Sequence, residues 1–228
     1  MAAVSRATVR NIITSLKKHR LRVVLLLVSA GLFAYAGIGF WDRYRATHSK
    51  DGAPNPTQVV THSTDRPHET TAAVDSDYTV PADQPRSIHL PDIKAEGLIQ
   101  RVGLDQHNAP AVPTNVSVAG WYIHSAKPGE PGVSLIDGHV QGKYQQGVFK
   151  QLSQSKAGQR FTVMYGDKSE RTFTIRSVHT YDTSEAAKAM LEPVKGVTAQ
   201  LNLITCGGKY DRATGQYEKR IIVVAEAL

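Results

Sequence analysis

Cysteine is nearly absent from this sequence: Cys206 is the only one in 228 residues. No internal disulfide can form, so the folded state must be stabilised by packing of apolar side chains. Hydrophobic residues make up 41% of the chain, enough for one domain with a substantial core and some appended segments. The lone thiol is therefore left unpaired and available for chemistry.

Acidic residues are missing from the first 22 positions, which carry six Lys and Arg residues. This segment accounts for nearly all of the net charge of +7, because the chain from Val23 onward holds 21 basic and 20 acidic side chains. The basic balance is thus a property of one short arm, residues 1–22, and not of the folded part. This distribution argues against nucleic acid as a partner.

Charged residues are also missing from residues 23–41, an apolar stretch as long as the roughly 20 residues that cross a bilayer core as a helix. A removable signal peptide is the alternative, but its apolar core usually has only about 7 to 15 residues, and no convincing cleavage site precedes Trp41. We expect a transmembrane helix over 23–41. The positive-inside rule then places the arm in the cytoplasm and everything after Trp41 outside, as in a single-pass membrane protein.

Large apolar side chains are scarce in residues 42–85, which are rich in Thr, Ser, Pro, Asp and His. Such a segment buries too little surface to order itself, so the composition predicts a flexible extracytoplasmic linker. Its histidines, His48, His62 and His68, have no metal-ligand spacing and are interpreted as solvated side chains.

Residues 86–228 form the folded domain, in which short β-rich runs alternate with Gly, Pro, Asn and Asp and no internal repeat is found. Short strands at near-regular spacing indicate either a closed β-barrel or a sandwich. One helical patch interrupts them, from Ser184, a plausible N-cap, to Val194, with Pro193 as a stop. The candidate strands are SIHLPDI, GLIQRVGL, SVAGWYI, VSLIDGHV, RFTVMYG, ERTFTIRSVHTY, QLNLITC and YEKRIIVVAEA.

Cys206 ends the strand pattern QLNLITC, and the glycine pair after it predicts a turn that leaves the thiol at a strand tip. An arbitrary unpaired cysteine is more often a small buried hydrophobe than a nucleophile. A thiol nucleophile needs a base or a cation beside it, because an ordinary thiol is only slightly ionised at neutral pH. The histidines of the domain are the candidate bases. His139 is favoured because it follows an apolar strand and a glycine, ahead of His89, His107, His124 and His179.

An arginine could stabilise the negative oxygen of a tetrahedral intermediate and also favour the thiolate. The loop closed by Gly215 makes QLNLITC and YEKRIIVV natural antiparallel neighbours, which brings Arg220 beside Cys206. A solvated charge at a strand end is the other interpretation of Arg220. Arg212, in the loop, is the alternative residue for the oxyanion.

These motifs, taken in order, resemble the sortases, which are membrane-anchored cysteine transpeptidases of bacterial surfaces. LITC, residues 203–206, is similar to the end of the family's Thr-Leu-x-Thr-Cys signature, although Asn202 replaces its first Thr. SLIDGHV is similar to the segment that carries the family's catalytic histidine, and EKRIIVVAE to the strand that carries its catalytic arginine. The resemblance covers about residues 88–228.

The resemblance implies a closed β-barrel of about eight strands, with short helices, over residues 86–228. It implies His139, Cys206 and Arg220 as catalytic residues and Thr205, inside the signature, as a substrate contact. The implied substrates are secreted proteins with a C-terminal sorting signal like Leu-Pro-x-Thr-Gly. The implied acceptor is an amine, either of a peptidoglycan precursor or of a pilin lysine. The helical patch 184–194 lies where the family places a substrate-recognition loop.

The loops GWYIHSAKPGEPGVSLIDGHV and TCGGKYDRATGQY look most like the class F or E-like branches. Class C is disfavoured, because the linker lacks its Asp-Pro-aromatic lid motif and no second apolar span follows the domain. No cofactor is expected, and the loop carboxylates Asp182, Glu185 and Glu192 are interpreted as solvated side chains, not as a calcium site. A hydrolase that uses water as acceptor and a catalytically silent binding barrel are the alternative functions.

Overall fold

The computed structural model describes residues 6–49, 52–64, 67–72 and 77–228, with side chains described from residue 19 onward. By its internal contacts the chain divides into two compact units, Met1–Arg45 and Ala46–Leu228. The first is helical and the second contains all the strands that the structure describes.

The N-terminal unit is a single long helix, α1 (Arg6–His48). It runs through both boundaries expected for the apolar segment 23–41, so at least residues 6–22 of the basic arm continue the same helix. Its apolar side chains are exposed: Leu26 is 68% and Phe33 80% accessible. By length and composition, residues 19–48 are able to cross a membrane.

The second unit is mainly β, as the sequence predicts. Its strands are β1 (Val59–Val60), β2 (Pro85–Leu90), β3 (Ala95–Val102), β4 (Ala119–Tyr122), β5 (Gly132–Gly138), β6 (Arg160–Tyr165), β7 (Glu170–Asp182), β8 (Ala199–Asp211) and β9 (Gln216–Ala227). All eight predicted strands are confirmed, as β2 to β9. Two short 3₁₀ turns, Pro91–Ile93 and Leu152–Gln154, and one short helix, α2 (Thr183–Ala189), lie between them.

The sheet closes on itself. Its hydrogen-bonded order is β1-β3-β2-β6-β7-β9-β8-β5-β4, and β3 also pairs with β4. The β3–β4 pairing is parallel, from Ile99 opposite Ala119 to Val102 opposite Tyr122. The closed barrel β2–β9 is therefore the architecture, which decides between the barrel and the sandwich left open by the residue pattern.

The barrel interior is filled by side chains that alternate along the strands, as the two-residue period of a β-strand requires. Leu201 and Leu203 of β8 are fully buried there, as is Ile136 of β5. The rings of Phe161 and Phe173 stack at the centre with a centroid distance of 5.2 Å. This core supplies the apolar packing that a chain without disulfides needs.

A second apolar cluster covers the outer face of β5, β8 and β9. Leu135, Ile204 and Ile222 point outward into it, and Ala186 of α2 packs against them. The helix is shorter than the patch predicted from Ser184 to Val194. It begins after Asp182, whose side chain makes no capping bond, and ends at Ala189, before Pro193 is reached.

The expectation of a flexible linker over 42–85 is wrong for several described parts of that segment. Val59 and Val60 pair with β3, opposite Arg101 and Val102. Tyr78 is only 5% exposed and donates its hydroxyl to the carbonyl of Ile99 at 2.7 Å. A polar segment can order without a core of its own when an adjacent barrel supplies backbone partners for it.

Truncation of a central side chain tests the core. Phe173→Ala removes a fully buried ring, so we expect it to lower the free energy of unfolding by about 3–5 kcal/mol. Leu228→Ala is the control, because that side chain is 74% exposed. Urea unfolding of the detergent-solubilised full-length protein, followed by near-UV circular dichroism, measures both. Equal losses in the two variants would contradict this account of the core.

Candidate active site

Cys206 lies in β8 on the outer face of the barrel, because Leu203 and Thr205 alternate toward the interior and Ile204 points outward. Its side chain is partly buried at the edge of the outer apolar cluster. The thiol is therefore at a surface that another molecule can approach.

The predicted turn directly after Cys206 is wrong, because β8 continues to Asp211. The register with β9 shifts between Gly207 and Tyr210, which marks a bulge, and Gly208 has a φ of +74°. Glycine adopts that conformation without strain, so the pair bends the hairpin locally and does not end the strand. The thiol thus lies beside a bulge inside a long hairpin.

Arg220 of β9 is the direct cross-strand neighbour of Cys206. Opposed residues of antiparallel strands have Cβ atoms about 4.5–5.5 Å apart, so the guanidinium is within reach of the thiol. Its Nη1 donates to the carbonyls of Tyr217 at 3.1 Å and Lys219 at 2.9 Å, which orient the fork. Among the described residues, none accepts a hydrogen bond from its Nε or Nη2, so these donors are available to an anion.

Arg212 lies in the turn that joins β8 and β9, beyond the last pair, Asp211 and Gln216. It is exposed, and five residues of the hairpin lie between it and Cys206. At about 3.3 Å per residue, the turn is too far from the thiol for both to contact one carbonyl group. Of the two arginines considered, the structure brings only Arg220 to Cys206.

His139 immediately follows β5, the other neighbour of β8. The two strands are parallel, with Asp137 opposite Ile204, so continuing the register by two residues brings His139 level with Cys206. The hydroxyl of Thr205 donates to the carbonyl of Gly138 at 2.7 Å and fixes this register at its end. Cysteine, histidine and arginine therefore lie side by side on neighbouring strands, with Cys206 within β8, Arg220 within β9 and His139 directly after β5.

The imidazole of His139 is oriented by a backbone group. Its Nε2 lies 2.7 Å from the carbonyl oxygen of Pro113, which can only accept a hydrogen bond. Nε2 must therefore carry a proton, and in the neutral ring Nδ1 is the basic nitrogen. The backbone of His139 is fixed as well: its carbonyl accepts from Phe149, and a Cβ at Gly147 would lie 2.0 Å from that oxygen.

The electrostatics favour the uncharged forms of both groups. Burial raises the pKa of the Cys206 thiol, an effect that Arg220 opposes. Burial also lowers the pKa of His139, although the bond to Pro113 counteracts it. Both shifts favour the thiol over the thiolate and the neutral imidazole over the imidazolium.

Asp137 is a site residue that the sequence analysis missed. It lies two residues before His139, is 8% exposed, and its Oδ1 has no hydrogen-bond partner among the described residues. Burial raises the pKa of this carboxyl well above its usual range, so the neutral form is favoured. A carboxylate here would raise the pKa of Cys206 further. The sequence signal was an acid inside the apolar run VSLIDG.

Thr205 does not lie where a substrate contact was expected. Its side chain is 4% exposed and alternates toward the barrel interior, on the opposite face from Cys206. Its bond to Gly138 makes it a link between β8 and β5. The structure therefore gives it a role in aligning the site instead.

The other histidines of the domain lie elsewhere. His89, His107, His124 and His179 are exposed, whereas His139 is partly buried. His179 lies on β7, opposite Ile222, so β9 separates it from β8. Of the three carboxylates weighed for calcium, Asp182 accepts from Lys219 at 2.7 Å. No cluster of three or more potential metal ligands occurs in the described ranges.

Alkylation of Cys206 tests the electrostatic role of Arg220. We expect the rate of reaction with iodoacetamide to rise with a midpoint at higher pH than that of an ordinary exposed cysteine, because burial raises the thiol pKa. Arg220→Ala removes the positive charge, which raises the pKa further and slows alkylation at neutral pH. Arg212→Ala is the matched control and leaves the rate unchanged. Equal effects of the two substitutions, measured by mass spectrometry, would refute the pairing of Arg220 with the thiol.

The family model of the sortase domain matches residues 88–228. Comparison with curated protein sequences finds no significant match. Among solved structures, the chain is similar to a lid mutant of sortase A from Corynebacterium diphtheriae, with 20% identity, a TM-score of 0.49 and coverage of 63% of this chain and 69% of that one.

Two further solved structures are similar at the same level. Sortase C-1 from Actinomyces oris has 21% identity and a TM-score of 0.46, and the match covers 63% of this chain and 72% of that one. Sortase A from Listeria monocytogenes has 20% identity and a TM-score of 0.46, with coverage of 64% and 88%. Because the family model spans more than half of the sequence, from within β2, the first barrel strand, to the last residue, this chain belongs to the sortase family.

Proposed function

We propose that this protein is a membrane-anchored cysteine transpeptidase that cleaves a C-terminal sorting signal like Leu-Pro-x-Thr-Gly and joins the new carboxyl end to an amine. The observation that carries the proposal is the register of β5, β8 and β9, which brings His139 and Arg220 to either side of Cys206. A thiol, a general acid–base group and an oxyanion donor are the parts that acyl transfer through a thioester needs.

In the first half of the reaction, the Cys206 thiol gives its proton to Nδ1 of His139 and the sulfur attacks the carbonyl carbon of the Thr–Gly peptide bond. The carbonyl oxygen becomes negative, and Nε and Nη2 of Arg220, which make no hydrogen bond to the described residues, stabilise it. His139 then returns the proton to the departing glycine amine. The C–N bond breaks, and the acyl group remains on sulfur as a thioester.

In the second half, an amine attacks the thioester while Nδ1 of His139 removes its proton. The tetrahedral intermediate collapses to a new amide, and the thiol is regenerated when sulfur takes up the proton. The acceptor that we propose is an amine of a peptidoglycan precursor or a pilin lysine.

The proposed location is the cell membrane. The helix α1 has the length and composition of a single span, and its basic N-terminal arm favours the cytoplasmic side. This orientation would put the barrel outside the membrane, where secreted proteins with sorting signals pass. The loops around His139 and Cys206 favour a class F or E-like branch within the family.

Covalent capture of a peptide tests the reaction. We expect the detergent-solubilised full-length protein, mixed with a Leu-Pro-x-Thr-Gly peptide, to gain the mass of the acyl fragment on Cys206. Cys206→Ala should show no adduct, and His139→Ala should lose about 10²–10⁴-fold in rate, as removal of a general acid–base group does. Thr180→Ala, an exposed change on β7, serves as the control. Undiminished cleavage by Cys206→Ala would refute the proposal.

Product analysis separates transfer from hydrolysis. With an added amine such as triglycine, we expect the ligated peptide to replace the free acid as the main product, because amines attack thioesters faster than water does. Liquid chromatography with mass spectrometry resolves the two products. If the free acid dominates at every amine concentration, the protein is a peptide hydrolase and the transfer step is wrong.

The pH dependence follows from the directions of the two pKa shifts. The reactive pair needs one proton shared between Cys206 and His139, and it is lost when His139 is protonated alongside the thiol or when both groups are deprotonated. We expect kcat/KM to follow a broad bell, because the lowered pKa of His139 moves the acid limb to lower pH and the raised pKa of Cys206 moves the alkaline limb to higher pH. Initial rates measured from acid to alkaline pH give the profile. A bell narrower than the interval between the pKa values of ordinary histidine and cysteine side chains would contradict these two directions.

A further inference from the structure

The segment before the barrel contains a buried carboxylate that accepts hydrogen bonds from the loop following His139. Glu69 is 7% exposed, and its two oxygens accept backbone N–H groups from Lys143 at 2.7 Å, Tyr144 at 2.5 Å and Gln145 at 2.8 Å. Successive N–H groups converging on one anion form a nest, in which a carboxylate makes strong, charge-assisted bonds. These bonds show that this part of the segment is docked on the barrel domain and is not a solvated linker.

The same segment also holds the loop that orients the His139 ring. His68 donates its N–H to the carbonyl of Thr114 and accepts from Val116, on either side of Asn115. The amide of Asn115, which is fully buried, donates to Thr70 at 3.0 Å and to the carbonyl of Gly52 at 2.6 Å. Pro113, whose carbonyl binds Nε2 of His139, lies two residues before Asn115.

The two loops that this segment binds both contact or adjoin His139. The first loop contains Pro113, whose carbonyl binds Nε2 of the ring. The second loop, residues 140–147, follows His139 directly and is closed by a hydrogen bond from the N–H of Gly147 to the carbonyl of Val140. Gly142 lies against the carboxylate, since a Cβ there would be 2.8 Å from Cδ of Glu69. His68, Glu69 and Thr70 therefore bind both loops that hold the imidazole of His139 in place.

We propose that Glu69 is a positioning residue for His139: by binding residues 143–145 it holds the imidazole in the Nε2–H form, with Nδ1 available to the thiol. This inference rests on the proposed function, because it assigns the consequence to His139 as the proton carrier. It makes the segment before the barrel part of the active enzyme. Glu69 does not contact the substrate in this scheme.

The test uses two substrates that differ in their need for a proton donor. One is the sorting-signal peptide, whose amine must be protonated to leave. The other is an aryl ester of the same acyl fragment, whose phenolate leaves without a proton. Glu69→Gln keeps the size of the side chain but replaces one acceptor oxygen with an N–H₂ group, so the negative charge and at least one of the three bonds are lost. Glu170→Gln, at the exposed start of β7, is the matched control.

We expect Glu69→Gln, in the full-length protein, to lower kcat/KM for the amide about 10-fold, as a small misplacement of a reacting group does. The loss for the ester should be smaller, because the ester needs His139 only to take the thiol proton and not to protonate a leaving group. His139→Ala should show the same selectivity, with a larger loss. Equal losses on both substrates, or no loss on either, would overturn the proposal. If Glu69→Gln does not fold, Gly142→Ala displaces the carboxylate from the other side and must give the same selectivity.

Nuclear magnetic resonance separates this proposal from the proposed function. In the wild-type protein in micelles above pH 7, the ring ¹⁵N shifts of His139 should report the Nε2–H tautomer, and the amides of residues 143–145 should exchange slowly. Glu69→Gln should give mixed tautomers and fast exchange, whereas Glu170→Gln should not. Unchanged shifts and exchange in Glu69→Gln would overturn the role of Glu69. A wild-type protein that cleaves neither substrate would instead count against the proposed function.

Discussion

The parallel pairing of β5 with β8 is the contact on which the candidate site depends. It sets Asp137 opposite Ile204, and the bond from Thr205 to Gly138 secures the last step before His139. Had the register slipped by one residue, the side chains of β5 would face the wrong sides of the sheet and His139 would no longer be level with Cys206. The antiparallel pairing with β9 then needs only to bring Arg220 to the other side.

Much of the fold could be predicted from sequence, because each strand carries its own local signal. Alternating apolar residues and turn residues located β2 to β9. Closure of the barrel could not be predicted from the residue pattern, because the β3–β4 pairing joins segments whose alternation would also suit a sandwich. The linker was misjudged for a related reason: Val60 and Tyr78 are too few to form a core, but enough to dock on one that already exists.

The site, like the fold, has residues that could be predicted from sequence and others that could not. Cys206, His139 and Arg220 could be selected from sequence because their residue types are chemically distinctive and their flanking patterns place them near strand ends. The carbonyl of Pro113 could not, since every residue has a backbone carbonyl and only the fold decides which one meets an imidazole. Glu69 was hidden because its partners are backbone N–H groups 74 to 76 residues away, which have no side-chain signature.

The solitary and partly buried state of Cys206 has a consequence for oxidative damage. Oxidants attack the thiolate much faster than the thiol, so burial that keeps the proton on sulfur also slows formation of a sulfenic acid. Once a sulfenic acid forms, however, the chain holds no second cysteine to trap it as an internal disulfide. Repair must then come from a thiol on another molecule, and without one the sulfur proceeds to irreversible oxidation states.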